Sequence, residues 1–269
     1  DNLGEYRKAI DYYQQSLAIA RETNNRRGEG TYLNNLGVVY ENLGEYQKAI
    51  NYHQQSLAIA RETNNRRGEG TSLNNLGVVY ENLGEYQAAI NYHQKSLIIK
   101  REIGDRSGEG GSLCNLGSAY KSLGKYQKAI DCYSVALPIL HEIGHRRFEA
   151  NTFLSLGYSL ARLGKKWEAK QAFENARTLY QDMELEKNIK ICDKALYNLN
   201  QMVIAQPTFV PPFGEVLPPP ENPEEAVLPR SHRIARKRKK RKSWYLKSLQ
   251  RLWCSCLRLL QRLRQMLKL

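Results

Sequence analysis

Histidine is the side chain most often used as a general base or a metal ligand near neutral pH, and this chain contains five of them. His53 and His93 lie 40 residues apart at equivalent places of a repeated pattern, on the apolar face of a predicted helix. This arrangement favours a packed imidazole in a slot for an aromatic ring. His141 and His145 have a spacing that suits a shared metal ion, but they flank Gly144 at a predicted turn, and no third ligand lies nearby.

The other reactive residue types also fail to form a catalytic or metal-binding set. The five cysteines show no CxxC spacing, which argues against a zinc site or a disulfide framework and fits a reducing compartment. Gly-Glu-Gly triplets at 28–30, 68–70 and 108–110 follow predicted helices rather than strands, so they do not resemble phosphate-binding loops. We therefore predict no catalytic residue, no metal site, no cofactor and no small-molecule substrate, and expect that the chain is not an enzyme.

These residues recur because the sequence itself repeats every 40 residues. Residues 11–50 and 51–90 match at all but four positions, and the same frame continues with more differences through 91–130 and 131–170. Near-identity of two units indicates a duplication. A solenoid tolerates such a duplication because each unit contacts only its neighbours.

Each unit encodes two helices. Leu33, Leu36 and Tyr40 fall on one face of a first helix, Gly44 follows it as a stop signal, and a second helix starts near Glu45. A glycine at position 37 recurs inside the first helix of every unit, where it costs about 1 kcal/mol relative to alanine. We expect that partner helices approach too closely there for a Cβ atom.

The repeat resembles the tetratricopeptide signature. The residues that carry the resemblance are Leu33, Leu36, Gly37, Tyr40, Gly44, Tyr46, Ala49, His53 and Ser56, and four units repeat them. The 40-residue period and the Leu-Asn-Asn-Leu opening are similar to the repeats of kinesin light chains and Pins-type polarity adaptors. His53 and His93 depart from the usual aromatic residue, and Leu160 replaces the tyrosine.

The resemblance covers residues 1–182 and implies an all-α fold, a right-handed α-α solenoid of the tetratricopeptide superhelix type. We expect residues 1–203 to form this solenoid. Residues 1–22 would supply only the second helix of a first repeat, which suggests missing upstream sequence, and a helix from Glu184 to about Met202 would cap the other end. A Pro-rich linker over 204–230 and a basic amphipathic helix over 231–269 would follow.

In a stack of helical hairpins, the first helices of successive units line a concave groove. Asn35, Asn75 and Asn115 form one ladder on these helices, and Asn34 and Asn74 begin a second. In the resembling families, asparagines at the matching place hold peptide backbone, since the side-chain amide both donates and accepts hydrogen bonds. The alternative, that they bond only to neighbouring helices or water, stays open.

We expect this groove to bind a peptide or protein. Glu41 and Glu81 give way to Lys121 and Arg162, which predicts a ligand with its basic end toward the early repeats and its acidic end toward the late ones. The predicted groove contacts are Asn34, Asn35, Asn74, Asn75, Asn115, Val38, Val78, Glu41, Glu81, Lys121 and Arg162.

The positive charge of the chain belongs to its last segment. From Ala226 to Leu269 there are 15 lysines and arginines and no acidic residue, whereas the preceding 225 residues carry a net charge of −1. Eight of the nine prolines lie between Pro207 and Pro229, which is typical of an extended spacer.

Seven consecutive cations and then an amphipathic Leu/Trp pattern follow this spacer. Such a segment suits an anionic membrane surface, which we rank ahead of a protein partner or the solenoid itself, and ahead of nucleic acid. The heptamer would also serve as a nuclear address. The predicted membrane or polyanion contacts are Arg236, Lys237, Arg238, Lys239, Lys240, Arg241, Lys242, Trp244, Leu249, Trp253 and Leu260.

Together these patterns predict an adaptor whose solenoid captures a peptide or protein and whose tail tethers it to a membrane. The expected location is the cytoplasm, peripheral on the inner face of a membrane. The alternative is a nucleic-acid-associated or nuclear regulatory adaptor whose basic tail binds polyanions or acts as a targeting signal.

Overall fold

The computed structural model describes residues 2–204, with side chains described for residues 4–201. This part of the chain is all-α: it contains ten helices and no strand. The predicted linker over 204–230, except for its first residue, and the predicted tail over 231–269 lie outside the described residues. The helices are α1 (Asn2–Glu22), α2 (Arg26–Asn42), α3 (Tyr46–Glu62), α4 (Arg66–Asn82), α5 (Tyr86–Glu102), α6 (Arg106–Ser122), α7 (Tyr126–Glu142), α8 (Arg146–Arg162), α9 (Lys166–Asp182) and α10 (Glu186–Ile204).

Local sequence signals explain where the helices begin and end. The side chain of Asn25 accepts a hydrogen bond from the backbone N–H of Gly28 at 2.9 Å, which caps the first turn of α2. Asn65 and Asp105 do the same for α4 and α6. Gly44 follows α2 with a φ of 76°, a left-handed conformation that favours glycine and closes the helix. The short links that result place consecutive helices side by side.

Consecutive helices pack along the whole array, and a second set of contacts separates two layers. Helix α2 also contacts α4, and the series continues through α6 and α8 to α10. No pair of odd-numbered helices makes such a contact within residues 2–204. The even-numbered helices therefore lie closer together and form the inner, concave layer, while the odd-numbered helices form the outer layer.

The recurring glycine marks the closest approach between the two helices of a unit. A Cβ atom on Gly37 would lie 2.5 Å from Cε1 of His53, and one on Gly77 would lie 2.5 Å from Cε1 of His93. The rings of Tyr133 and Phe173 occupy the same place in the next two units. The expectation that these glycines are needed for helix packing is confirmed.

Ion pairs repeat at each junction between units. Glu29 is buried at the start of α2 and accepts hydrogen bonds from Arg21 (2.9 Å) and from Arg26. Arg26 also pairs with Glu62, 36 residues further along the chain. The same arrangement recurs around Glu69 and Glu109. The Arg21–Glu29 pair joins one unit to the next, and the Arg26–Glu62 pair joins the two helices of one unit.

Helix α10 ends the described array. Its buried residues Cys192, Ala195 and Leu199 pack on the preceding helices, as expected for a capping helix. It starts at Glu186 rather than Glu184, because Glu184 has a φ of 55° and lies in the turn. Tyr197 stands at the position of Gly37 and is 64% exposed.

None of the helices described between residues 2 and 204 is both long enough and apolar enough to cross a membrane.

Candidate ligand groove

The inner helices α2, α4, α6 and α8 carry all eleven residues that the sequence predicts as groove contacts. They present the same helical positions to one surface, repeated once per unit. Ligand contact at these residues stays a prediction. The geometry of the side chains does show how each one is held.

The two asparagine ladders are linked to each other by hydrogen bonds. Oδ1 of Asn34 accepts a hydrogen bond from Nδ2 of Asn75 at 3.1 Å and lies 3.1 Å from Nδ1 of His53. Oδ1 of Asn74 has the same two partners one unit later, Nδ2 of Asn115 and Nδ1 of His93, both at 3.1 Å. Asn34 and Asn74 are thus oriented by the protein itself.

Asn35, Asn75 and Asn115 keep hydrogen-bonding capacity for another molecule. Asn35 makes no side-chain hydrogen bond to any of the described residues, and Oδ1 of Asn75 and of Asn115 accepts none from them. All three are only partly buried. The surface therefore offers amide groups at 40-residue intervals along successive inner helices.

Two buried histidines hold this network in place. An amide oxygen only accepts hydrogen bonds, so Nδ1 of His53 and of His93 must carry the proton. Burial lowers the pKa of both rings to about 4, and their Nε2 atoms have no partner among the described residues. The histidines are therefore neutral near pH 7. They pack in the core, as the sequence pattern predicts, and they orient Asn34 and Asn74.

The hydrogen bond between histidine and asparagine was not predicted from the sequence, although the sequence carries a signal for it. The two residues change together along the array: Asn34 and Asn74 accompany His53 and His93, whereas Cys114 accompanies Tyr133. In the last unit, Leu154 accompanies Phe173. An imidazole that donates to an amide oxygen explains why neither residue persists without the other.

The C-terminal ends of the inner helices carry half-buried charges. Oε1 of Glu41 accepts a hydrogen bond from Nδ2 of Asn82 at 3.3 Å, and Oε1 of Glu81 accepts one from Ser118 Oγ at 2.6 Å. Burial raises the pKa of both carboxyl groups and lowers the pKa of the Lys121 ammonium group. The change from acidic to basic along this edge is thus present in the structure as far as Lys121.

Arg162 does not lie at the repeat position shared by Glu41, Glu81 and Lys121. Ala161 stands in register with Glu41, Glu81 and Lys121, and Arg162 lies one residue further, in register with Asn42. Arg162 is exposed at the end of α8. Its side chain therefore leaves the helix about 100° away from the direction of Lys121, given 3.6 residues per turn.

The valines on the inner helices lie between the asparagines and these charges. Val38 is exposed and Val78 is partly buried, so both add apolar surface next to the ladders. Ser118 takes this position in the third unit and Tyr158 in the fourth. The apolar character of the groove therefore varies from unit to unit, while the amides stay constant over three units.

A cavity of about 230 Å³ opens between α2, α3 and α4, and the sequence analysis did not predict it. Arg27, Thr31 and Asn34 of α2 line it, together with Arg67 and Thr71 of α4. Asn34 thus belongs both to this cavity and to the asparagine ladder. The signal in the sequence is the small Ala60, whose equivalents in the next two units are lysine and leucine.

The described residues contain no group of three or more His, Cys, Asp or Glu side chains that could hold a metal ion. His141 and His145 have separate partners: Nδ1 of His141 lies 3.0 Å from Oε1 of Glu149, and the ring of His145 contacts the edge of Phe148.

Comparison with solved structures identifies similar helical arrays. The apo form of RapI matches with a TM-score of 0.65 and 22% identity, over 74% of this chain and 77% of that one. A kinesin light chain-like protein of Podosopora anserina, with nearly identical tetratricopeptide-like repeats, matches with a TM-score of 0.54 and 19% identity, over 68% and 90%. A Rap protein in complex with competence and sporulation factor matches with a TM-score of 0.54 and 13% identity, over 76% and 72%.

At these identities the structural matches establish the fold, and a search of curated proteins found no match. The family is established by sequence. The model of the tetratricopeptide repeat matches residues 2–62, 68–142 and 112–182, which together cover more than half of the chain and nearly all of the described helices. The chain therefore belongs to the tetratricopeptide repeat family.

Proposed function

We propose that the concave groove of this solenoid binds an extended peptide segment of a partner protein, and that the chain acts as a non-catalytic scaffold or adaptor without a cofactor. The observation that carries the proposal is the row of amides at Asn35, Asn75 and Asn115, which keep free hydrogen-bonding capacity on successive inner helices. Membership of the tetratricopeptide repeat family supports it, as does the similar Rap protein, which was crystallised with competence and sporulation factor.

The hydrogen bonds between the ladders support binding through pre-organisation. Asn75 is held by Asn34, which in turn is held by the buried ring of His53. A side chain that is already oriented loses little conformational entropy when it binds a ligand. Each amide then pairs with a backbone N–H or C=O group of the peptide, so the ladder recognises an extended chain rather than particular side chains.

Ligand direction follows from the charged edge of the groove. Glu41 and Glu81 favour a basic segment of the ligand beside the early units, and Lys121 favours an acidic segment beside the third. Arg162 would extend the basic part only for a ligand that also reaches the neighbouring face of α8. Reversal of Lys121 to Glu would therefore weaken a ligand that binds in this direction.

The test is selection of peptides from a random displayed library on the immobilised full chain, followed by affinity measurement of the enriched peptides. Asn35→Ala with Asn75→Ala should weaken the selected peptides at least tenfold, because each removes two or more hydrogen bonds to the peptide backbone. The matched control is Asn51→Ala with Asn91→Ala, which removes two exposed asparagines from the outer helices α3 and α5. Equal affinity of both double variants would contradict the proposal.

We further propose that the basic segment after the solenoid tethers the chain to an anionic membrane surface, at the cytoplasmic face. Its seven consecutive cations and its Leu/Trp pattern would act as two anchoring signals. The run of cations by itself also favours a second candidate, a nucleic-acid-associated adaptor, because phosphate backbones bind such runs without an apolar face. Dependence on the leucines and tryptophans separates the two.

A further inference from the structure

The cavity between α2, α3 and α4 has a counterpart at the next junction of the array, and the two differ in one decisive way. Both are walled by the same residue types, a glycine and an isoleucine at Gly30 and Ile59, repeated as Gly70 and Ile99. At the first junction the residue after the isoleucine is Ala60. At the second it is a lysine, Lys100, and at the third a leucine.

Lys100 fills the second junction from within. Its side chain is buried, with only 6% of the residue exposed, and its Cδ would lie 2.6 Å from a Cβ atom on Gly108. Its ammonium group donates hydrogen bonds to Oγ1 of Thr71 at 3.2 Å and to Oδ2 of Asp105 at 3.1 Å. Leu140, 2% exposed, takes this place at the third junction. The protein itself thus shows that the space fits an unbranched chain with a polar end.

The first junction keeps this space open. Ala60 ends at Cβ, and the equivalents of the two lysine partners are Thr31 and Asn65, both of which line the cavity. Gly68 lines the same space, and a Cβ atom there would lie 2.7 Å from Nδ2 of Asn65 and 3.4 Å from the Cβ of Ala60. The cavity of about 230 Å³ therefore includes the space that a long side chain occupies one unit later.

The first cavity lacks the carboxylate that the second junction contains. Asn65 replaces the carboxylate of Asp105, and Arg67 stands where the second junction has Ser107. Arg27 lines the cavity as well, and no acidic residue does. Arg67 also lies close enough to Asp105 to help lower the pKa of that carboxyl group, after larger effects that include the hydrogen bond from Gly108. The cavity thus combines a narrow apolar path with two guanidinium groups.

We propose that this cavity binds the side chain of a glutamate from the peptide in the groove, with its carboxylate paired with Arg27 and Arg67. Arginine suits this role because its planar group binds a carboxylate through two parallel hydrogen bonds. Asn34 joins the cavity to the ladder, so backbone and side chain of one peptide reach both. This inference rests on the proposed peptide binding.

The glutamate position and the acidic edge of the groove do not compete. Arg27 lies near the start of α2 and Glu41 near its end, 14 residues apart, which is roughly 20 Å along a helix. A peptide that crosses the early units thus meets cations at one edge and carboxylates at the other.

The test uses the same library selection on the full chain and reads the frequency of each residue at each peptide position. In the wild type we expect glutamate to be enriched about tenfold at one position. Ala60→Lys with Asn65→Asp copies the second junction into the first without changing the net charge, and should abolish this enrichment while other preferences remain. Arg27→Gln with Arg67→Gln should abolish it without filling the cavity, which covers the case in which the buried lysine disturbs folding.

The matched control is Lys100→Ala with Asp105→Asn, which empties the second junction and leaves the first intact, so the glutamate enrichment should persist. Enriched peptides without a glutamate preference would overturn this inference and leave groove binding in place. If the glutamate preference survives in both first-junction variants, another basic surface must cause it. That result would also overturn the inference. A library without any enriched peptide would overturn groove binding itself, and this inference with it.

Discussion

At the scale of single residues, the array depends on a few polar side chains that are buried in a repeated way. His53 and His93 fill slots that Tyr133 and Phe173 fill in later units, and they differ from these rings by donating a hydrogen bond to an asparagine. A buried imidazole with an unpartnered Nε2 is compatible with a stable fold only while it is neutral, that is, while the pH stays well above its pKa.

Acidification should therefore destabilise the first two complete units. The pKa of both histidines is lowered from 6.5 to about 4 in the folded chain, so below pH 6.5 the unfolded state binds protons that the folded state does not. The free energy of unfolding keeps its full value above pH 6.5 and decreases as the pH falls toward 4. The loss should approach about 3 kcal/mol per histidine, since one pKa unit corresponds to 1.36 kcal/mol.

Thermal melts followed by circular dichroism between pH 7.5 and 4.5 would measure this effect. His53→Phe with His93→Phe copies Phe173 and should remove most of the dependence, although carboxyl groups also titrate in this range. His145→Gln, at an exposed position, should leave the dependence as in the wild type. If the melting temperature of the phenylalanine variant fell with pH as steeply as that of the wild type, the histidines would not be the cause of the pH dependence.

At the scale of helices, close packing within each unit rests on the absence of one side chain. Gly77 of α4 faces the ring of His93 on α5, and any side chain at position 77 would collide with that ring. Glycine inside a helix is otherwise unfavourable, so its recurrence identifies the contact.

Substitution of two helical glycines separates the packing role of glycine from its intrinsic cost in a helix. Gly77→Ala should reduce the free energy of unfolding by about 1–3 kcal/mol, because its Cβ atom would lie 2.5 Å from Cε1 of His93. Gly111→Ala, in α6 with no atom within 4 Å of the added Cβ, should instead increase it by about 0.5–1 kcal/mol. Urea denaturation of both variants measures the difference, and a gain in stability for Gly77→Ala would refute the packing role.

The sequence predicts the elements well because they follow from local signals. The period of 40 residues, the glycine stops and the glycine at the helix contact all correspond to observed features, and the family match confirms the tetratricopeptide resemblance. The hydrogen bond from His53 to Asn34 and the cavity above Ala60 could not be predicted in the same way. They depend on which side chains of three different helices meet, and a repeat pattern alone does not give that.

At the scale of the whole molecule, a nearly neutral array is joined to a strongly basic segment, and the two parts imply different kinds of binding. The array offers ordered amides and an open cavity between α2, α3 and α4, which in the proposed function bind a peptide. Residues 226–269 carry 15 of the 41 lysines and arginines of the chain, which favours attraction to any extended anionic surface.

Flotation of the full chain with liposomes tests the membrane proposal. We expect binding to vesicles with anionic lipids that weakens as salt increases, and no binding to neutral vesicles. Leu249→Ser with Trp253→Ser and Leu260→Ser should abolish flotation, and Leu83→Ser, an exposed leucine of the array, serves as the control. Nucleic-acid binding that survives the triple substitution, together with an absence of flotation, would favour the alternative.

The tyrosine at position 197 has an evolutionary consequence. A further outer helix would need a small residue at that place on α10, as Gly157 provides for α9, so new units are not readily added after α10. Duplication of an internal unit does not involve Tyr197. The near-identical segments 11–50 and 51–90 indicate one such duplication. A further copy of residues 51–90 would bring a histidine equivalent to His53, an asparagine equivalent to Asn74 and a small residue equivalent to Ala60. If the cavity binds a ligand as proposed, copying of this segment would add a binding position of the same kind, and a later change of the Ala60 equivalent to lysine or leucine would fill it.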